Sequence, residues 1–229
     1  MEMKKTKIED FLAIPDILSL LNMSAGLLSI ICAINHQFMY SAILMIIALL
    51  FDSVDGYVAR KLNREDIYGF GKNIDSLSDV ISFGVSPAIF LYTISQTIPN
   101  SPSILVILTS LLITICGVLR LTRYNVLSNY IDQNTFIGFP IPGIALILSL
   151  FYINNLFNIY VVLIFLIISS FLMISNVKYD KINNMNIILI TLILLILTLI
   201  IVFTSYMNIP GIILLLLVIF YLLKNLFKN

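Results

Sequence analysis

Residues 51–79 read FDSVDGYVARKLNREDIYGFGKNIDSLSD and place four carboxylates, Asp52, Asp55, Asp75 and Asp79, at or inside the ends of two strongly apolar segments. Charge in such segments is costly, so it is rare and usually functional. On a helix, Asp52 and Asp55 are i,i+3 neighbours, and Gly56, Ala59 and Arg60 fall on the same face. A second helix carries Gly71, Asp75, Ser78, Asp79, Ser82 and Ser86 as one polar stripe. Two acidic pairs facing each other would form an oxygen-lined cage, the donor set preferred by hard divalent ions such as Mg2+ or Mn2+. Four ionised carboxylates repel one another in a low dielectric. Two divalent ions would neutralise them and leave the cage able to hold a diphosphate. Gly56 and Ala59 offer little or no side chain, so a nucleotide can approach that backbone closely. Arg60 supplies a planar fork for phosphate oxygens.

The elements that must position these groups are membrane helices. The chain has 229 residues, 60% hydrophobic and only 11% charged, against roughly 25% charged in soluble domains. That composition predicts an all-α, polytopic integral membrane bundle forming one domain over residues 1–229. Eight candidate spans, each near the roughly 20 apolar residues a crossing needs, lie at about 16–35, 38–62, 70–97, 103–127, 138–154, 157–175, 184–206 and 209–226. Pro15 suits the first turn of the first span. Residues 1–14 carry Ile8, Phe11 and Leu12 opposite Lys4, Lys5 and Glu9, the pattern of an amphipathic helix on the membrane surface. A cleaved signal peptide does not fit, because acidic residues interrupt the start and the next apolar segment is long enough to span. Residues 15–145 hold every candidate site residue. Residues 146–229 read as scaffold, and the last two spans carry almost no polar side chains.

Eight spans put both termini on one side, together with the ends of spans two, four and six. Every Lys and Arg falls there: Lys4, Lys5, Lys7, Arg60, Lys61, Arg64, Lys72, Arg120, Arg123, Lys178, Lys181, Lys224 and Lys228. Basic loops stay cytoplasmic, so the acidic cluster is expected near the cytoplasmic face. The net charge of +1 gives no sign of a nucleic-acid partner. Cys32 and Cys116 lie far apart inside apolar spans and read as packed thiols. A single His gives little support to a His-centred zinc site or proton relay.

The series Asp52-x2-Asp55-Gly56-x2-Ala59-Arg60, then Gly71-x3-Asp75-x3-Asp79, closely resembles the defining motif of the CDP-alcohol phosphotransferase family. The resemblance implies transfer of a phosphoalcohol from a CDP-linked donor to an acceptor hydroxyl, with release of CMP. It implies that Asp52, Asp55, Asp75 and Asp79 hold two divalent metals, Mg or Mn, and that Asp79 is also the general base. It implies that Gly56, Ala59 and Arg60 line the CDP pocket, and it suggests a homodimer. Pro15-x3-Ser19-x2-Asn22 resembles the family's first-span pattern and adds Ser19 and Asn22 as CDP contacts. The ten residues between Arg60 and Gly71 make a longer loop than the family usually has.

Three further stretches, 81–88 (ISFGVSPA), 120–125 (RLTRYN) and 138–143 (GFPIPG), look like the phosphatidylserine synthase branch of that family. Arg120 and Arg123, i,i+3 on one face, are candidates with Ser82 for gripping an acceptor carboxylate or a lipid phosphate. Snorkelling as positive-inside anchors is their bland alternative. The implied substrates are L-serine and CDP-diacylglycerol or its ether analogue CDP-archaeol. Two other readings stay open: a glycerol-phosphate or inositol-phosphate acceptor, and a divalent-cation transporter. Against the latter, transporter sites usually lie near midplane between internal repeats, and no repeat is visible here.

Overall fold

The computed structural model describes residues 7–62, 66, 69–127, 135–180, 185–204 and 207–224. The side chains of Ala59, Arg60, Asp180 and Met185 lie outside that description. The described chain is all-α apart from a small two-stranded ribbon. Helix α1 (Ile14–Ile34) starts with Pro15 in its first turn, and Asp16 accepts a hydrogen bond from the Ala13 N–H at 2.8 Å. Proline has no N–H to leave orphaned there, and the carboxylate satisfies one that would be. After a three-residue link, α2 (Phe38–Lys61) runs back along α1. The pair is pinned where the Ser29 hydroxyl donates to the Ser41 carbonyl at 2.9 Å. Ser86 joins the same node by donating to Ser29 Oγ at 2.9 Å. Bonds of this kind hold helices together where lipid supplies no hydrophobic contrast.

Helix α3 (Phe70–Asp79) continues through a wider π-helical turn, Val80–Val85, into α4 (Ser86–Ser95), giving one apolar rod. Such turns are rare and often lie at functional sites; this one begins directly after Asp79. Helix α5 (Ser103–Leu127) precedes strand β1 (Thr135–Ile137), α6 (Pro142–Ile153) and α7 (Ile159–Ile174). Strand β2 (Lys178–Asp180) then pairs antiparallel with β1, with Phe136 opposite Tyr179. Helices α8 (Met185–Ile201) and α9 (Ile209–Lys224) close the chain.

Four helices are long and apolar enough to cross a membrane: Ile14–Ile34, Phe38–Val58, Phe70–Ser95 and Ser103–Leu127. The other four expected spans contain apolar helices of 10–17 residues, shorter than their apolar stretches. For α6 the cause is local. Pro140 and Pro142 delay the helix start, and Asn155, at φ 56°, follows its end. Helix α6 is buried almost all round, through Ile144, Ile147, Leu148 and Phe151, as a central helix should be. Of the expected surface helix, residues 1–6 lie outside the described residues, Ile8–Asp10 form one 3-10 turn, and Ile14 already belongs to α1.

Side-chain contacts sort the ends of the bundle. At one end Phe11 stacks on Phe70, Lys72 reaches the Asn125 carbonyl, Arg123 reaches Ile174, and Tyr179 meets Tyr221. At the other, Phe38, Phe90, Tyr152 and Phe157 form a chain of edge-on rings. The basic residues of α3, α5 and β2 thus gather at one end, as the sequence pattern requires. Tyr179 is fully buried there, and burial pushes its phenol up to about 12, so it acts as a neutral core ring.

Candidate active site

The site forms where the start of α1, the end of α2, the start of α3 and the end of α5 meet. Asp52, Asp55 and Asp75 each offer a carboxylate oxygen within 4.8 Å of the others. Asp52 and Asp75 are half-buried; Asp55 and Asp79 are buried, each 6% exposed. Asp79 stands beside the trio, near enough to Asp52 and Asp75 for their charges to be felt there. It also accepts from Asn22 Nδ2 at 3.2 Å. Ser19 donates to Asp55 Oδ2 at 2.7 Å. Helix α1 therefore holds one member of each acidic pair from below. That reach is possible because α1 and the α3–α4 rod come very close: a Cβ on Gly26 would lie 2.6 Å from the Ser82 Cα.

The donor set suits a hard divalent cation. It consists of oxygens alone, three carboxylates converge, and the buried Asn22 Oδ1 beside them has no hydrogen-bond partner. These are the ligands Mg2+ or Mn2+ select.

Arg120 faces the cage from α5. It is 6% exposed, and its charge acts on Asp79, Asp52 and Asp75. Its Nε has no hydrogen-bond partner, and its guanidinium carbon lies 5.5 Å from the centre of the Tyr124 ring and 5.6 Å from that of Phe136. The aspartates balance its charge, while the buried Nε is left without the partner that buried donors normally have.

The remaining expected residues divide. Ser82 is fully buried and donates to the Asn22 carbonyl at 2.9 Å, fastening the rod to α1. Arg123 does not point its fork at the cage. Nη1 donates to the Ile174 carbonyl at 3.0 Å, and Nη2 donates to those of Met173 at 2.9 Å and Ile137 at 3.1 Å. Gly56 is half-buried one turn past Asp52. The expectations for Ala59 and Arg60 rest on side chains outside the described residues.

Three participants are absent from the sequence reading. Asp16 is 1% exposed and near enough to Asp55 for its charge to be felt there; its place in the first turn of α1 disguises it as an ordinary cap. Tyr124 and Phe136 lie side by side against Arg120, and only Tyr124, one turn along α5, had a positional signal.

Three relatives place this geometry among known proteins. An archaetidylserine synthase of Methanothermobacter thermautotrophicus is 46% identical over 183 residues, 80% of this chain and 76% of that protein. A CDP-diacylglycerol–serine O-phosphatidyltransferase of Methanocaldococcus jannaschii is 39% identical over 178 residues, 77% of this chain and 78% of that protein. The protein of that description in Bacillus subtilis is 35% identical over 174 residues, 72% and 89% of the two chains. The family model described as CDP-alcohol phosphatidyltransferase matches residues 12–176, which contain every carboxylate of the cage together with Ser19, Asn22, Arg120 and Arg123. With Asp52, Asp55 and Asp75 converging, and Asp79 following in the order that motif requires, the chain belongs to the CDP-alcohol phosphatidyltransferase family.

Proposed function

We propose that this enzyme transfers an archaetidyl or phosphatidyl group from a CDP-linked lipid to the hydroxyl of L-serine and releases CMP. Family membership sets the transporter reading aside. One observation carries the choice of acceptor: a buried Arg120 with an open Nε, facing Asp79 and Asp52. A single planar guanidinium matches the carboxylate of an amino acid. A phosphorylated acceptor would call for a denser set of cations, and Arg123 is already committed to backbone carbonyls. The names of the relatives agree with serine as acceptor.

Asp52, Asp55, Asp75 and Asp79 would hold two divalent ions, Mg or Mn. Ions held by these carboxylates would neutralise charge on the diphosphate and on the departing CMP. Ser19, Asn22, Gly56, Ala59 and Arg60 would line the CDP moiety. The serine oxygen forms a bond to the lipid-side phosphorus, the bond from that phosphorus to the CMP oxygen breaks, and the hydroxyl proton passes to Asp79. An alcohol is a poor nucleophile unless a positioned base takes its proton during attack. Asn22 fixes one oxygen of Asp79 for that task. Ser82 and Arg123 enter as positioning residues, through the Asn22 carbonyl and the end of α7 respectively.

Around this chemistry, all eight apolar helices would cross the bilayer, with the site and both termini on the cytoplasmic side and two copies forming a homodimer. The test is CMP release by purified protein given labelled CDP-archaeol or CDP-diacylglycerol, with serine, glycerol phosphate or inositol phosphate supplied one at a time. Release should require serine and a divalent ion and should stop with chelator. Release with a phosphorylated acceptor but not with serine would overturn the assignment.

A further inference from the structure

The rings around Arg120 come from different parts of the chain. Tyr124 arrives with α5 itself, one turn along. Phe136 belongs to β1, and several contacts hold that strand in place. Phe136 pairs with Tyr179 across the ribbon. The Gly138 N–H donates to the Val177 carbonyl at 2.8 Å. Arg123 Nη2 ties the Ile137 carbonyl to that of Met173, at the end of α7. Gly138 takes φ 81°, and a Cβ there would lie 2.6 Å from Arg123 Nη2. Three residues of strand are thus fastened to α5, α7 and β2. The Phe136 ring is thereby set 5.6 Å from the Arg120 guanidinium carbon and 5.9 Å from the Tyr124 ring, at 51° to it.

We infer that Phe136 is a specificity-determining positioning residue: its ring and that of Tyr124 form one aromatic wall against the Arg120 guanidinium and set how tightly the anionic acceptor is held. The inference rests on the reading of Arg120 as the acceptor's grip. Aromatic faces attract a guanidinium without competing for its N–H groups. The aromatic wall therefore restrains Arg120 while leaving Nε open to a ligand. A further carboxylate in place of the rings would add to the charge of Asp79, Asp52 and Asp75 and weaken the arginine's hold on an anion.

The test compares serine and CDP-lipid titrations for the full-length protein with Phe136→Leu, Phe136→Tyr, Tyr124→Leu and Arg120→Lys. Leucine retains apolar bulk and loses the ring face. Phe136→Leu should raise the serine KM roughly threefold to thirtyfold, the span of a partly to fully desolvated cation–ring contact, with the CDP-lipid KM unmoved. Phe136→Tyr should restore the parental value. Tyr124→Leu, at a position 40% exposed and so tolerant in folding, should shift the serine KM in the same direction. Arg120→Lys should raise it at least as far. If Arg120→Lys raises the serine KM while Phe136→Leu and Tyr124→Leu leave it within twofold, the role of the aromatic wall is wrong and the acceptor reading stands. If Arg120→Lys has no effect, the acceptor reading falls and takes the role of the aromatic wall with it. Equal rises in both KM values for Phe136→Leu, accompanied by a lowered Tm, would reduce the ring to packing and overturn the inference.

Discussion

Asp79 differs from its three companions in what holds it. The oxygens of Asp52, Asp55 and Asp75 converge on one another, whereas Asp79 stands beside them and is steadied by the Asn22 amide. An amide donor at one oxygen leaves the carboxylate oriented for proton transfer. Asp79→Asn keeps the shape and removes the proposed base. It should lower CMP release by roughly two to four orders of magnitude while the Tm in detergent stays near the parental value. Parental turnover in that variant would remove Asp79 from the chemistry. The four aspartates were legible because ionised side chains inside apolar helices are conspicuous against their surroundings. Asp16 was not, because an acid in the first turn of a helix is ordinary. Arg123 was legible as a charge but not in its role, since nothing in RLTRYN tells a ligand-binding fork from one that caps a distant helix end.

Among the elements, the ribbon depends most on a single residue. Gly138 holds φ 81° with the Met173 carbonyl and Arg123 Nη2 packed where a Cβ would go. Alanine there must strain the backbone and push away the anchor of β1. Gly138→Ala should therefore cost roughly 1–3 kcal/mol of stability, seen as a lower Tm in detergent, and should also weaken serine binding by displacing Phe136. An unchanged Tm would mean that the strand can relax around the methyl group. This ribbon was invisible in the sequence. Three-residue strands have too few positions to show a period of two, and the partners lie about forty residues apart. The long helices were visible for the opposite reason: α1, α2, the α3–α4 rod and α5 each sustain an apolar run near the length of a bilayer crossing. The π turn at Val80–Val85 left no mark, because insertion of one residue into a helix changes its hydropathy very little.

For the whole molecule, the open question is how the short helices sit in a bilayer. Twelve residues make α6 about 18 Å long, against a hydrocarbon core of about 30 Å. Helix α6 is buried among its neighbours rather than set against lipid, so its ends need not reach the interface unaided. The residues before it add reach, because 138–141 run from the ribbon into its first turn. If α6 and α7 both cross, the loop between them shares a side with the loop after α4. If they form a re-entrant pair, it does not. The two cases separate in a background with Cys32 and Cys116 replaced by alanine, using single cysteines at Thr97, Leu156 and Lys178, all exposed. An impermeant maleimide added to intact cells should label Thr97→Cys and Leu156→Cys, and should reach Lys178→Cys only after permeabilisation. Labelling of Thr97→Cys alone from outside would make α6–α7 re-entrant and reduce the crossings to six, leaving the carboxylate cage on the cytoplasmic side. Labelling of Lys178→Cys alone would invert the protein and place the cage away from cytosolic serine, an orientation incompatible with the proposed reaction.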